Sequence, residues 1–267
     1  MAEPAPGLAS HRDDAEGILR LVLSRPAKRN ALDPPTLVAL GDAIAGARDD
    51  RTVRVVVLAA EGPVFSAGGD IDVMKSTGGD TPAALARLRG GLNRTVRLIR
   101  DIPKPVLAEV QGDAHGAGAL LAFQCDLTVV AEEARFALSF RNLGLVPDTG
   151  GTWLLPRRLG LQRAKHMVWT GEPFTAKQAV EWGLALKAVP RAKLAGETRA
   201  LAEQLAAGPT AAFGLAKLAM QSNLDAPLAE ALDREARLQA QAFVGPEHGE
   251  GREAFFEKRK PDFRKVG

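Results

Sequence analysis

The 267-residue sequence contains no tyrosine, one cysteine and four histidines, and only 5% of its residues are aromatic. Without a phenol there is no tyrosine acid, and one cysteine can build neither a disulfide framework nor a cysteine-rich zinc site. Imidazole chemistry would have to come from His11, His115, His166 or His248. Cys125 follows Leu120, Leu121, Ala122 and Phe123 and has no adjacent His or Lys, so it reads as a buried small hydrophobe rather than a reactive thiol. No apolar run approaches the roughly 18 residues that span a bilayer. Residues 1–17 lack the apolar centre of a signal peptide and read as a flexible tail, which makes the chain cytoplasmic in expectation. Aromatics do not interleave with charge, which argues against a base-stacking surface and so against nucleic acid as a partner.

What remains is an ordinary globular composition, 46% hydrophobic and 25% charged with a net charge of +3. Basic residues cluster at Arg25, Lys28 and Arg29 and again at Lys258, Arg259, Lys260, Arg264 and Lys265. Each cluster reads either as a solvated face or as a site for a phosphate-bearing ligand.

Strand signals fall at Ile18–Leu23, Val53–Ala59, Val106–Val110, Leu127–Val130 and Leu186–Val189. Helical patterns lie between them, at 36–48, 82–100, 117–123, 151–159, 175–182 and 193–205. Such alternation predicts an α/β fold with crossover connections. Past about Gly208 the pattern is helical, over 210–222 and 227–243, and no repeat or low-complexity linker divides the chain.

Three stretches carry chemistry. Phe65-Ser66-Ala67-Gly68-Gly69-Asp70-Ile71 follows a buried strand, as does Gly112-Asp113-Ala114-His115-Gly116-Ala117-Gly118-Ala119-Leu120, which runs into a helix. Small residues let a ligand approach the backbone, and a helix N-terminus offers free N–H groups to an anionic oxygen, so the two turns could form an oxyanion hole or be close-packing turns. Neither matches the dinucleotide G-x-G-x-x-G, and there is no phosphate-binding G-x-x-x-x-G-K-[ST]. In the third stretch, Leu143-Gly144-Leu145-Val146-Pro147-Asp148-Thr149-Gly150-Gly151-Thr152-Trp153, Asp148 reads either as a helix cap or as a working carboxylate.

The order and spacing of these stretches resemble the enoyl-CoA hydratase/isomerase (crotonase) family, with Arg25-Pro26-Ala27-Lys28-Arg29-Asn30-Ala31-Leu32 upstream and Glu257-Lys258-Arg259-Lys260-Pro261-Asp262-Phe263 at the end. The resemblance covers about Ile18 to Phe263. It implies a crotonase-like spiral of ββα units over 18–207 and a helical trimerisation region over 208–267. It also implies acyl-CoA thioester substrates, a homotrimer or dimer of trimers, no metal, and no cofactor beyond the CoA of the substrate. By position, the N–H groups of Gly69 and Ala117 match the family's oxyanion donors. Lys28, Arg29, Ala67, Gly68, Asp70, Ile71 and Lys258 match regions that embrace CoA, and Asp70 also reads as the cap of its turn.

Family hydratases position water with two glutamates; Leu120 and Phe140 stand at those positions here. With Leu143 and Val146 they are expected to wall the acyl pocket and desolvate Asp148. Asp148 falls where family isomerases carry their carboxylate, and the run from Gly144 to Pro156 resembles the 1,2-epoxyphenylacetyl-CoA isomerase type of phenylacetate degradation. The resemblance thus implies an enoyl-CoA isomerase with weak or absent hydratase activity. The alternatives are a dehalogenase-like enzyme using Asp148 as nucleophile on an aryl-CoA, and a non-catalytic acyl-CoA-binding protein.

Overall fold

The structure is a computed structural model that describes residues 7–77 and 80–266. Its strands are β1 (Leu8–Asp13), β2 (Ile18–Leu23), β3 (Val55–Ala60), β4 (Val106–Val110), β5 (Ala114–His115), β6 (Leu127–Ala131), β7 (Arg135–Ala137), β8 (Phe174–Thr175) and β9 (Lys187–Val189). The helices of the first half are α1 (Pro34–Asp49), α2 (Ile71–Thr77), α3 (Thr81–Leu88), α4 (Arg94–Asp101) and α5 (Ala117–Gln124). Those of the second half are α6 (Gly151–Leu159), α7 (Leu161–Thr170), α8 (Ala176–Glu181), α9 (Arg191–Ala206), α10 (Thr210–Asn223), α11 (Leu228–Phe243) and α12 (Pro246–Phe256).

The large sheet runs β1-β2-β3-β4-β6-β9, parallel except for the antiparallel β1·β2 pair. The run Val55-Val56-Val57-Leu58-Ala59 is buried on both faces, as a central parallel strand covered by helices must be. The small sheet is β5-β7-β8, and bridges between Ser66 and Ala114 and between Leu32 and Gly69 prolong it. Successive passes of the chain therefore add a strand to the large sheet, a strand or bridge to the small one, and a helix. That repeat is the crotonase-like ββα spiral. Phe123, Phe136, Phe174 and Trp182 fill its interior with ring centroids 5.1–5.5 Å apart along the row. After Val189 the described residues carry helices and no strand. Among the described residues, no helix is long and apolar enough to cross a membrane.

Two expectations need correction. The segment read as a flexible tail over 1–17 contains β1, paired with β2 along its whole length. Only Leu8 of that strand is buried, while Ser10, His11 and Arg12 face outward; an edge strand with so little alternation leaves almost no signal. Residues 1–6 lie outside the described residues. The single helix expected over 82–100 is two, α3 and α4, joined by a wider turn at Arg89–Asn93. The glycine pair Gly90-Gly91 lies in that turn, and Leu37 of α1 packs so close that a Cβ on Gly91 would lie 3.2 Å from it.

Candidate active site

All the parallel strands point their C-terminal ends at one set of loops, where ligands bind in open α/β sheets. The loop after β2 is tied to the loop after β3 by side chains buried or half-buried between them. Asn30 donates from Nδ2 to the Glu61 and Val64 carbonyls, both at 2.8 Å, and accepts the Arg25 N–H at 2.9 Å. Ser66 Oγ donates to the Asn30 carbonyl at 2.8 Å. Arg25 reaches the Ala31 carbonyl at 2.7 Å and the carboxylates of Asp33 and Asp70 at 3.1 Å. Sequence reading did not single out this network; its signal is the cluster of Arg, Asn and Ser beside small residues.

The network presents two main-chain N–H groups. Ala67 N–H donates to Arg29 and Asp70 N–H to Leu32, on the same side of the segment although three residues apart. The alternation breaks at Gly68, whose φ is +95°, and Gly69 N–H is left with no protein acceptor among the described residues. A Cβ on Gly68 would stand 2.9 Å from the His115 carbonyl oxygen and 3.6 Å from Ala117 N, so the two turns touch through a gap that only glycine leaves open. Ala117 is the first residue of α5, where helical geometry offers its N–H no partner. Gly69 and Ala117 thus supply free donors on adjoining turns, one at a positive helix end. His115 takes part through its backbone, donating to Ser66 at 2.9 Å.

The Asp148 turn packs against the same helix. Its carboxylate does not cap α6, which has Gly150 at its N-cap and no side-chain cap. Asp148 is half-buried, and burial pushes its carboxyl above the usual carboxylate range; a hydrogen bond from Thr149 Oγ1 at 2.8 Å opposes that shift. One turn along α5 from Ala117, Leu120 is fully buried against this loop: a Cβ on Gly151 would fall 2.5 Å from Leu120 Cδ1. Two turns along, Gln124 donates from Nε2 to the Thr149 carbonyl at 2.8 Å. Phe140 is buried with its ring edge beside Gly116. One face of α5 and one phenyl ring therefore frame the donors and the carboxylate.

Two parts of the expected site are not assembled. Leu143 is 53% and Val146 75% exposed, so neither packs around Asp148, and its desolvation comes from its other surroundings. They belong to a short helical turn and loop, Ser139–Pro147, in which Phe140 and Pro147 are buried while Leu143, Leu145 and Val146 are exposed. Lys28 and Arg29 are exposed beside α2, with Lys28 paired to Asp72 at 3.0 Å. Lys258 is not brought to them. It follows α12, which holds the N-terminus of α10 through Glu247, and the chain beyond it pairs Arg264 with Glu16 at the start of β2, the opposite end of that strand. Asp70 caps α2, accepting from Asp72 N at 3.0 Å, so its carboxylate is committed to the fold while Ile71 is exposed above it. No three His, Cys, Asp or Glu side chains cluster as a metal site among the described residues.

This arrangement can be set beside known proteins. A family model described as enoyl-CoA hydratase/isomerase matches residues 13–266. The chain belongs to that family. It is 36% identical over 249 residues to the 1,2-epoxyphenylacetyl-CoA isomerase of Escherichia coli K12, covering 93% of this chain and 95% of that one. It is 35% identical over 247 residues to the 2,3-dehydroadipyl-CoA hydratase of the same organism, covering 92% and 95%. An enoyl-CoA hydratase from Polaromonas sp. JS666 superposes with a TM-score of 0.90 at 33% identity, covering 95% of this chain and 98% of that one. An isomerase and a hydratase are thus about equally similar, and the family member's own side chains have to distinguish the two chemistries.

Proposed function

We propose that this crotonase-family enzyme shifts a double bond in an enoyl-CoA, or in a ring-bearing acyl-CoA, by a proton shuttle through Asp148. The observation that carries the reading is the pairing of one half-buried carboxylate, free of any helix-capping role, with apolar side chains, Leu120 and Phe140, at the two positions where water would need glutamates. A proton moved within one molecule needs one base; water addition needs its oxygen held and a proton supplied. The first requirement matches this site and the second does not.

In this reading the thioester oxygen of a 3-enoyl-CoA accepts hydrogen bonds from Gly69 N–H and Ala117 N–H. Asp148 removes a proton from C2, and the electron pair moves through the carbonyl into a dienolate on which the two donors act, each typically worth about 3 kcal/mol. The protonated Asp148 then returns the proton to C4, which leaves the double bond between C2 and C3 and the carboxylate as it began. Desolvation suits the residue to this task, because a carboxyl raised above its usual range is a better base for the first proton transfer. Lys28, Arg29 and the backbone of Ala67, Gly68 and Ile71 take the CoA end, with no cofactor besides that CoA. Exposed Leu218, Met220, Leu224, Leu228 and Leu232 on α10, α11 and their connection support a homotrimer or dimer of trimers in which other copies cover them.

The test follows 3-enoyl-CoA, crotonyl-CoA and 4-halobenzoyl-CoA with wild type and Asp148→Asn. Expected are conjugation of the 3-enoyl thioester, little hydration, no halide release, and a kcat lower by roughly 10²–10⁴ in the variant with acyl-CoA binding kept. Fast hydration of crotonyl-CoA overturns the reading. Halide release would favour a nucleophilic Asp148, and binding with no turnover a non-catalytic protein.

A further inference from the structure

The turn that carries Asp148 is built in a way that capping or packing alone does not require. Thr149 has φ +53°, a left-handed conformation that a β-branched residue adopts only when its surroundings impose it. It is fully buried, its hydroxyl donates to Asp148 Oδ1 at 2.8 Å, and its carbonyl accepts from Gln124 Nε2 at 2.8 Å. Gln124 is itself buried, 3% exposed, and its Oε1 has no hydrogen-bond partner. A buried amide left half satisfied is unfavourable for folding, so its retained bond to Thr149 calls for an explanation outside stability. Gly150, at φ +71°, completes the fit: a Cβ there would lie 2.5 Å from Gln124 Nε2, so the turn is wrapped around that amide.

Gln124 also links the turn to the other half of the site. Ala117, Leu120 and Gln124 share one face of α5, at spacings of three and four residues. The first offers the oxyanion N–H, the second packs on Gly151, and the third holds Thr149. We infer that Gln124 and Thr149 are positioning residues: the Gln124 amide fixes the Thr149 backbone, and the Thr149 hydroxyl fixes the Asp148 carboxylate at a set distance from Ala117 N–H. The inference rests on the reading of Asp148 as the proton-transferring base. Reach and orientation of a carboxylate toward two carbons of one substrate leave little tolerance, since misplacement by about 1 Å can cost a hundredfold.

The experiment compares Thr149→Val, Thr149→Ser, Thr149→Gly and Gln124→Met with wild type and Asp148→Asn in the full chain, using 3-enoyl-CoA turnover across pH and a carbon-13 titration of the Asp148 carboxyl. Thr149→Val is expected to lower kcat by roughly 10- to 100-fold with KM changed far less. It also moves the acid limb of the rate profile and the Asp148 titration to higher pH, because a hydrogen bond to the ionised form has been lost. Thr149→Ser keeps the hydroxyl and restores most of the rate. Thr149→Gly suits the left-handed backbone, so it stays folded even if Thr149→Val does not, and it shows the same slow rate and raised titration. Gln124→Met lowers kcat, and in combination with Thr149→Val costs less than the product of the two. Unchanged kcat and unchanged titration in Thr149→Val and Thr149→Gly overturn the inference, as does a Thr149→Ser as slow as the valine variant. Loss of turnover in Asp148→Asn alongside normal Thr149 variants would remove the positioning role and leave the proton shuttle standing. A fully active Asp148→Asn would remove both.

Discussion

The two ends of the parallel sheet have opposite electrostatic character, and one topology produces both. Helices in crossover connections run back against the strands, so helix N-termini gather at the C-terminal ends of the strands and helix C-termini at the other end. At the first end, α5 offers Ala117 N–H, and Gly69 N–H stands beside it, both without protein acceptors among the described residues. At the second, carbonyls at the ends of α1, α4 and α9 are met by buried or half-buried cations. Lys104 Nζ donates to Ala47 and Asp50 at 2.5 and 2.7 Å, Lys217 Nζ to Ile99 at 2.7 Å, and Arg54 Nε to Ala206 at 2.6 Å. Two cavities lie toward this second end, of about 980 and 500 Å³, one lined by Arg54 and Lys104 and the other by Arg100, Trp153 and Arg157. A cavity alone therefore does not mark the reacting end. Donors left open to an anion do, because Arg54, Lys104 and Lys217 at the other end already have carbonyl acceptors.

If the two ends have separate tasks, substitutions should separate stability from rate. Lys217→Met carries the largest expected effect. Lys217 is buried and paired with Asp126 at 2.7 Å, and its removal strands a carboxylate whose burial already pushes it above the usual range. Breaking a buried pair typically costs about 3–5 kcal/mol. Urea unfolding should register that loss while kcat of the folded enzyme stays within about twofold, a ratio of roughly 0.4 kcal/mol in barrier; a matching fall in kcat would mean the ends are coupled. Gly68→Ala tests the other end. A side chain at φ +95°, 2.9 Å from the His115 oxygen, must push the two donor turns apart. Loss of one oxyanion donor costs about 10²–10³ in kcat, so steady-state turnover should fall by that amount. Smaller again is Lys104→Met, which leaves the α1 carbonyls to water and should cost about 1–2 kcal/mol in unfolding experiments, without a kinetic signature.

Much of the framework was legible because burial imposes periodicity. Val106–Val110 and Gly151–Leu159 have the bounds their patterns predict, since both lie in covered layers with clear turns around them. The edge strand β1 was invisible for the opposite reason, and α7 because its Leu161 and Trp169 are exposed and break the apolar stripe. Within the site, motif order directs attention to Gly69, Ala117 and Asp148, whereas Gln124 belongs to no motif and is simply the polar last residue of an apolar helix. Its bond to Thr149 joins residues 25 apart in sequence, and no local pattern encodes such a contact. The surroundings of Lys258 have no local signal for a similar reason, because nothing in the basic tail says which end of the sheet α12 is anchored to.

The finest test of the comparison is the effect of Asp148 on stability, which should have the opposite sign to that of Lys217. Burial raises the Asp148 carboxyl above its unfolded value, so between those two values the folded chain binds more protons than the unfolded one. Stability contributed at this position is then present below the unfolded pKa and lost as pH rises through the folded one. Asp148→Asn cannot ionise, and its Oδ1 still accepts from Thr149. The variant should therefore unfold at a higher temperature than wild type at pH 7, with the gap closing as pH falls toward the ordinary carboxylate range, and calorimetry at a series of pH values reads this directly. A variant that is less stable at pH 7 would mean that ionised Asp148 is held by compensating contacts, and that its desolvation is not a cost the fold carries for function.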